Sequence, residues 1–244
     1  EETGLGTRIT FSLFSPDGDQ NYPGNANIAV SYTLTPDNSL RLDYHMVADE
    51  DTIANFTNHA YFNLAGHASG SAVDQKVWID ADTFTMADAE SIPTGELVSV
   101  KGTPMDFTVL KTIGQDINAD YEPLVLGNGY DHNWALNHAE GELALSAKAV
   151  DEASGTLRKI AEAEGEQSGI TMKVYTDLPG VQFYTANFLD GVTGKDGAEY
   201  HPRYGYCFET QYFPDAVNKP QFKSPVLKAG EEYKTTTIYR FTTV

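Results

Sequence analysis

Two side chains in this sequence are suited to moving protons near neutral pH, and both lie among aromatic and amide residues. His59 sits in "NFTNHAYFNLAG" (residues 55–66), and Glu209 sits in "CFETQYFPDAVN" (207–218). A carboxylate flanked by Cys207, Phe208 and Phe213 is partly desolvated, which raises its pKa towards the range of a general base. An imidazole titrates near neutrality and can give a proton there. Two further stretches carry more polar side chains than a strand or loop needs. "GNGYDHNWAL" (127–136) contains Asp131, His132, Asn133 and Trp134, and "DLPGVQFYTANFLDG" (177–191) contains Gln182, Tyr184 and Asn187. Each residue also has a plainer reading. Glu209 could face solvent on its strand, His59 could be a hydrogen-bonded core histidine, and Asp131 could shape a turn. Tyr61, Phe62, Trp134, Tyr184 and Phe213 could simply be core. The six histidines show no zinc-site spacing, so no metal is expected.

Period-two alternation supplies the elements that would hold these groups. In "NIAVSYTLT" (27–35), Ile28, Val30, Tyr32 and Leu34 share a face; in "LRLDYHMV" (40–47), Leu40, Leu42, Tyr44 and Met46 do, with Arg41, Asp43 and His45 opposite. "ITMKVYT" (170–176) and "YKTTTIYRF" (233–241) alternate in the same way. These are half-buried antiparallel strands, separated by turn signals at 15–25, 35–39 and 152–155. Helical signal is thin. "LKTIGQDI" (110–117) could make two turns, and "TLRKIAEAEGE" (156–166) reads better as part of a charged hairpin. The expectation is one all-β domain over 1–244, a large antiparallel β-sandwich. The early strand "TRITFSLFSP" (7–16) places Ile9, Phe11 and Leu13 on one face and calls for a covering partner.

Composition narrows the partners. The chain has 244 residues, 41% of them hydrophobic, enough to bury a core. Its net charge is −19, with 35 acidic residues against 16 basic. Such a surface repels phosphate backbones and anionic lipid, so neither nucleic acid nor membrane is an expected partner. A neutral small molecule suits it better. No run approaches a membrane span. The single cysteine, Cys207, permits no intramolecular disulfide. The compartment stays open between the cytoplasm and, after removal of a leader, the periplasm or exterior.

Taken together, the four stretches resemble the aldose 1-epimerase family, the galactose mutarotases. The family's "N-H-x-Y-F-N-L" appears at Asn58 to Leu64, "G-x-D-H-N" at Gly129 to Asn133, "P-G-x-Q-F-Y-T-x-N" at Pro179 to Asn187, and "E-T-Q-x-x-P-D-A-x-N" at Glu209 to Asn218. The turn "SPDGDQNYPGN" is also similar, with Asn21 where a glycine is usual. Order and spacing match from residue 9 to Phe241. The resemblance implies a galactose mutarotase-like β-sandwich with the sugar on a concave face. It implies His59 as general acid, Glu209 as general base and Asp131 as a ligand of a sugar hydroxyl, with Asn58 and Gln182 as further substrate-binding residues. Tyr61 and Phe62 are expected to pack behind His59. The family also carries a further N-terminal segment of about 100 residues with an asparagine–arginine pair and a second histidine, so this chain is expected to be the C-terminal two-thirds of a longer one.

The implied reaction is interconversion of the α and β anomers of an aldohexose such as galactose or glucose, which needs no cofactor. Three other readings share the same residues. A non-catalytic carbohydrate-binding domain would not require both His59 and Glu209. A glycoside hydrolase would pair Glu209 with Asp131. A phosphosugar epimerase would want clustered basic residues, and the stretches offer only Arg203 and Lys219.

Overall fold

The computed structural model describes residues 1–137 and 157–243. The turn expected at 152–155 lies outside them. In chain order the strands are β1 (Thr7–Ser15), β2 (Ala26–Leu34), β3 (Ser39–Ala48), β4 (Thr52–Ile53), β5 (Lys76–Ile79), β6 (Thr83–Ala87), β7 (Pro93–Ser99), β8 (Lys111–Thr112), β9 (Asp131–Ala135), β10 (Arg158–Gly165), β11 (Ile170–Thr176), β12 (Gly180–Tyr184), β13 (Val192–Thr193), β14 (Glu199–Tyr200), β15 (Cys207–Gln211), β16 (Val226–Leu227) and β17 (Glu232–Thr243). An eight-stranded antiparallel sheet runs β1-β2-β3-β17-β11-β10-β5-β8, and a five-stranded antiparallel sheet runs β15-β12-β9-β6-β7.

The alternation in the sequence determines what lies between the sheets. Leu42, Tyr44 and Met46 of β3 and Met172 and Val174 of β11 join Phe84, Trp134, Phe183 and Phe208 of the smaller sheet in one buried cluster. Polar bonds bridge the layers as well. Tyr239 on β17 donates its hydroxyl to the Phe208 carbonyl at 2.8 Å, and the Thr210 and Thr237 hydroxyls meet at 2.5 Å. Burial makes such bonds costly to lose. The smaller sheet is thereby held with one face on the core and the other free for chemistry.

Two local expectations change. Residues 110–117 do not form two helical turns: Lys111–Thr112 pairs with Lys76–Val77 of β5, and only Ile113–Gln115 winds into a 3-10 turn. Pairing to β5 uses the backbone of this stretch, and Ile113 is buried under it. The described residues contain one α-helix, α1 (Glu122–Leu126), started by Pro123 in its first turn, where a missing N–H costs nothing. Residues 158–165, with their helix formers, do pair as a hairpin with β11. Tertiary pairing overrides helix propensity there.

β1 is an edge strand, and its Ile9, Phe11 and Leu13 side chains are 56–60% exposed. A long apolar edge is a template for pairing with other chains. The 244-residue chain alone should therefore self-associate in light scattering despite its charge, and Leu13→Lys should reduce that association. A monodisperse wild-type solution would contradict this account of β1.

Candidate active site

The face that carries the candidate site is set by strand register. Tyr184 of β12 pairs with Asp131 on one side and Cys207 on the other, while Gln182 pairs with Asn133 and Glu209. Side chains two apart share a face. Asp131 and Asn133, Gln182 and Tyr184, and Cys207 and Glu209 therefore stand on one side of the small sheet. The alternate residues His132, Trp134, Phe183 and Phe208 are buried in the core. This divides the "DHNW" run. Asp131 faces the site, whereas His132 packs under it, with its Nε2 3.1 Å from the Pro123 carbonyl and its pKa lowered to about 4 by burial.

His59 arrives on a segment with no regular element. The segment is tied at two points, just beyond either end of β15, the edge strand of the small sheet. Asn55 exchanges side-chain bonds with the backbone of Tyr212 at 2.9 and 3.2 Å, and Phe62 exchanges backbone bonds with Tyr206 at 2.8 and 3.0 Å. Between these ties His59 lies against β15. Its Nε2 is 3.5 Å from Glu209 Oε1, and its Nδ1 is 3.4 Å from Cys207 Sγ. The Tyr61 and Tyr184 rings flank it at 5.1 and 5.9 Å.

Glu209 is 8% exposed, so the solvent-facing reading does not hold. Burial, together with the nearby Asp131 carboxylate, pushes its pKa up to about 7, and the His59 imidazole opposes this. Asp131 is also raised by burial, countered by a 2.8 Å bond that its Oδ1 accepts from Gln182 Nε2. His59, Tyr61, Asp131, Gln182, Tyr184, Phe188, Glu209, Gln211 and Pro214 line a cavity of about 370 Å³, within the range of small-molecule sites. A larger, mainly apolar cleft of about 710 Å³ lies beyond Tyr61, lined by Phe62, Leu64, Tyr204 and Phe241 among others, with no carboxylate among the described residues that line it.

Of the expected site residues, the fold brings His59, Glu209, Asp131 and Gln182 to one cavity. Asn58 is not on its wall. The Asn58 amide donates to the Tyr32 hydroxyl at 3.3 Å, and its Oδ1 accepts from the Ala60 N–H at 3.1 Å, which shapes the approach to His59. Phe62 packs behind, against Tyr239 and Phe241. Tyr61 does not: it is 48% exposed and forms part of the wall. Phe188 and Gln211 also line the cavity, and Gln211 could have been found from the i, i+2 relation to Glu209. His59, Cys207 and Glu209 offer metal-type donor atoms within 4.8 Å of one another. Sulfur and carboxylate address opposite ring nitrogens, however, a poor arrangement for one ion.

Three further motif residues, Asn187, Gly129 and Gly180, shape the backbone around the site. Asn187 is buried, donates to the Gly127 and Tyr130 carbonyls at 2.8 and 3.0 Å, and accepts from Arg203, so it pins the loop that delivers Asp131. Gly129 adopts φ +123°, and a side chain there would strike Asn187 and Arg203. A side chain at Gly180 would come within 2.6 Å of Asn133 Oδ1 and 2.8 Å of the Phe213 ring.

Comparison with known proteins agrees with this arrangement. The family model described as Aldose 1-epimerase matches residues 2–240. The galactose mutarotase of Homo sapiens is 42% identical over 238 residues, covering 97% of this chain and 64% of that protein. The aldose 1-epimerase of Escherichia coli K12 is 35% identical over 237 residues, covering 96% and 64%. The chain thus spans somewhat under two-thirds of the length of these curated relatives. Among solved structures, a galactose 1-epimerase from Lactobacillus acidophilus superposes with TM-score 0.80 at 27% identity, over 99% of this chain and 64% of that one. A GalM/aldose epimerase homologue from C. elegans gives TM-score 0.81 at 26% identity, over 97% and 66%. With the family match running nearly end to end and the motif residues gathered on one sheet face, the chain belongs to the aldose 1-epimerase family and has its galactose mutarotase-like β-sandwich fold.

Proposed function

We propose that this chain carries the acid–base pair of an enzyme that interconverts the α and β anomers of a free aldohexose. The observation that carries the reading is the side-by-side placement of His59 Nε2 and Glu209 Oε1 at 3.5 Å on one cavity wall. The two oxygens that exchange protons in mutarotation, the C1 hydroxyl and the ring oxygen, are bonded to the same carbon. An acid and a base serving both must be neighbours. Glu209, ionised, takes the proton from the C1 hydroxyl while His59 gives its Nε2 proton to the ring oxygen. The C1–O5 bond breaks, the aldehyde forms, and rotation about C1–C2 presents the other face. Closure returns the ring-oxygen proton to His59 and the Glu209 proton to the carbonyl oxygen. No net proton or electron is consumed.

Asp131 accepts a bond from a sugar hydroxyl, and Gln182 holds Asp131 in place. Tyr61, Tyr184 and Phe188 offer aromatic surface to the sugar's C–H face. A hydrolase reading, with Glu209 and Asp131 as its carboxylate pair, is less well supported, since the family model that matches residues 2–240 is that of the aldose 1-epimerases. We also propose that a further N-terminal segment, which the relatives' length leaves room for, completes the open side of the cavity. Polarimetry comparing the 244-residue chain with a protein that includes that segment tests this part: equal rates would remove it.

Polarimetry on the complete protein tests the main reading. Absence of any acceleration would leave only a carbohydrate-binding role, and release of aglycone from an aryl glycoside would favour hydrolysis. Glu209→Gln should lose turnover by roughly 10²–10⁴ while sugar binding changes less; near wild-type turnover would exclude Glu209 as the base. Asp131→Asn should weaken binding by about 1–2 kcal/mol, because a charge-assisted bond becomes a neutral one.

The pKa of Glu209 gives a pH signature with a definite sign. Below about 7 the base is protonated, so kcat/KM should fall with falling pH, approaching about ten-fold per unit. Stability runs the other way. The folded value lies above the ordinary 4.5, so the folded state binds the extra proton and the cost of ionising Glu209 is complete above pH 7 and absent below 4.5. Glu209→Gln should therefore be more stable than wild type at pH 8, by on the order of 2 kcal/mol, and lose that advantage at pH 4. A variant no more stable at pH 8 would show that the buried charge carries no such cost.

A further inference from the structure

Cys207 has no role in the reaction as written above, yet it touches the acid. It is fully buried and stands two residues before Glu209, so both side chains leave β15 on the same face. Its Sγ lies 3.4 Å from His59 Nδ1, while the Glu209 carboxylate lies 3.5 Å from Nε2. One strand therefore addresses both nitrogens of one imidazole, and Glu209 lines the cavity whereas Cys207 does not. We propose that Cys207 is a positioning residue: its sulfur accepts the Nδ1–H of His59 and so keeps the proton-transferring Nε2 turned towards the substrate.

The chemistry of a neutral thiol suits this task. Burial, reinforced by the Glu209 and Asp131 carboxylates, pushes the Cys207 thiol well above its ordinary value. Sulfur here stays protonated, which sets it apart from the thiolate of a Cys–His nucleophile. A thiolate or carboxylate at this place would hold the imidazolium and blunt it as an acid. A neutral sulfur is a weak acceptor; it orients the ring without trapping its charge. When His59 gives its Nε2 proton, the neutral ring keeps Nδ1–H on sulfur, and the Nε2 lone pair stays in place to take the proton back on ring closure. The flanking Tyr61 and Tyr184 rings restrict rotation of the imidazole but offer Nδ1 no bond.

The inference rests on His59 being the acid, and the test separates the two claims. In the complete protein, Cys207→Ala should lower kcat about ten-fold with KM within about two-fold, as expected when a reacting group is misaligned and ground-state binding is kept. Cys207→Ser, which retains an acceptor, should recover to within about three-fold of wild type. Long-range ¹H–¹⁵N NMR of neutral His59 should show the proton on Nδ1 in wild type and in Cys207→Ser, and a shift of population to Nε2 in Cys207→Ala. An unchanged tautomer in Cys207→Ala, or equal loss of kcat in the alanine and serine variants, would overturn the proposal. If the wild-type protein does not mutarotate at all, the proposed function fails, while the NMR comparison still decides whether Cys207 sets the tautomer.

Discussion

The site depends on one attachment: the non-strand segment from Asn55 to Phe62 lying along edge strand β15, tied at Tyr212 and at Tyr206. Edge strands leave backbone groups that want partners. Here the backbone groups just beyond each end of the strand, at Tyr206 and Tyr212, are bonded by a segment that also carries the His59 imidazole. The ties at both ends leave His59 little freedom along the strand, so its two nitrogens meet Cys207 and Glu209, the two side chains that β15 points the same way. The segment also covers Glu209 from the side that a fifth-strand edge would leave open to water. Placement of His59 and desolvation of Glu209 thus follow from the same contact.

The rest of the small sheet acts as a ruler. Register between β9, β12 and β15 puts Asp131, Tyr184 and Cys207 in one row and Asn133, Gln182 and Glu209 in the next. Slipping any of these strands by one residue would turn the site groups into the core and Trp134, Phe183 and Phe208 outward. The aromatic core is therefore what keeps the polar face polar. Its rings pack edge-on and stacked at 5–6 Å, with Phe183 at the centre against Phe107, Tyr130 and Phe208. Such packing penalises any slip heavily. The eight-stranded sheet enters by closing the other side of this core and by the buried bonds from Tyr239 and Thr237 to β15.

A raised carboxyl is a stability cost that a merely structural residue would not need to bear. In the proposed reaction that cost has a use, since a base for a sugar hydroxyl must hold its proton affinity near neutrality. Asp131 stands close by in the same cavity and is treated differently: Gln182 gives it a direct amide bond that offsets part of its burial. Two carboxylates in one cavity are thus given different electrostatic surroundings by their neighbours, as the proposed roles of base and hydroxyl ligand require. The tight approaches at Gly129 and Gly180 belong to the same economy of space, since each glycine leaves room for a motif amide beneath the site.

Much of this was readable in the chain alone. Alternation alone assigned faces correctly for β3 and β11 and for Ile28, Val30 and Tyr32 of β2, whose terminal Leu34 is instead 62% exposed, and the motif order marked His59, Asp131, Gln182 and Glu209 together, because both signals are local in sequence. Period two also contains the division between Asp131 and His132, although their adjacency invites reading them as one cluster. What the chain could not disclose is burial. Whether Glu209 is solvated depends on a segment about 150 residues upstream, as does the meeting of Cys207 with His59, which are 148 residues apart. The same non-local packing turned Asn58 away to Tyr32, brought Tyr61 onto the cavity wall, and made a strand and a 3-10 turn of residues 111–115. Residue type and periodicity determine which chemistry is possible and on which face it stands. Desolvation and orientation are sums over every neighbour in space, and those neighbours exist only once the sheets have packed.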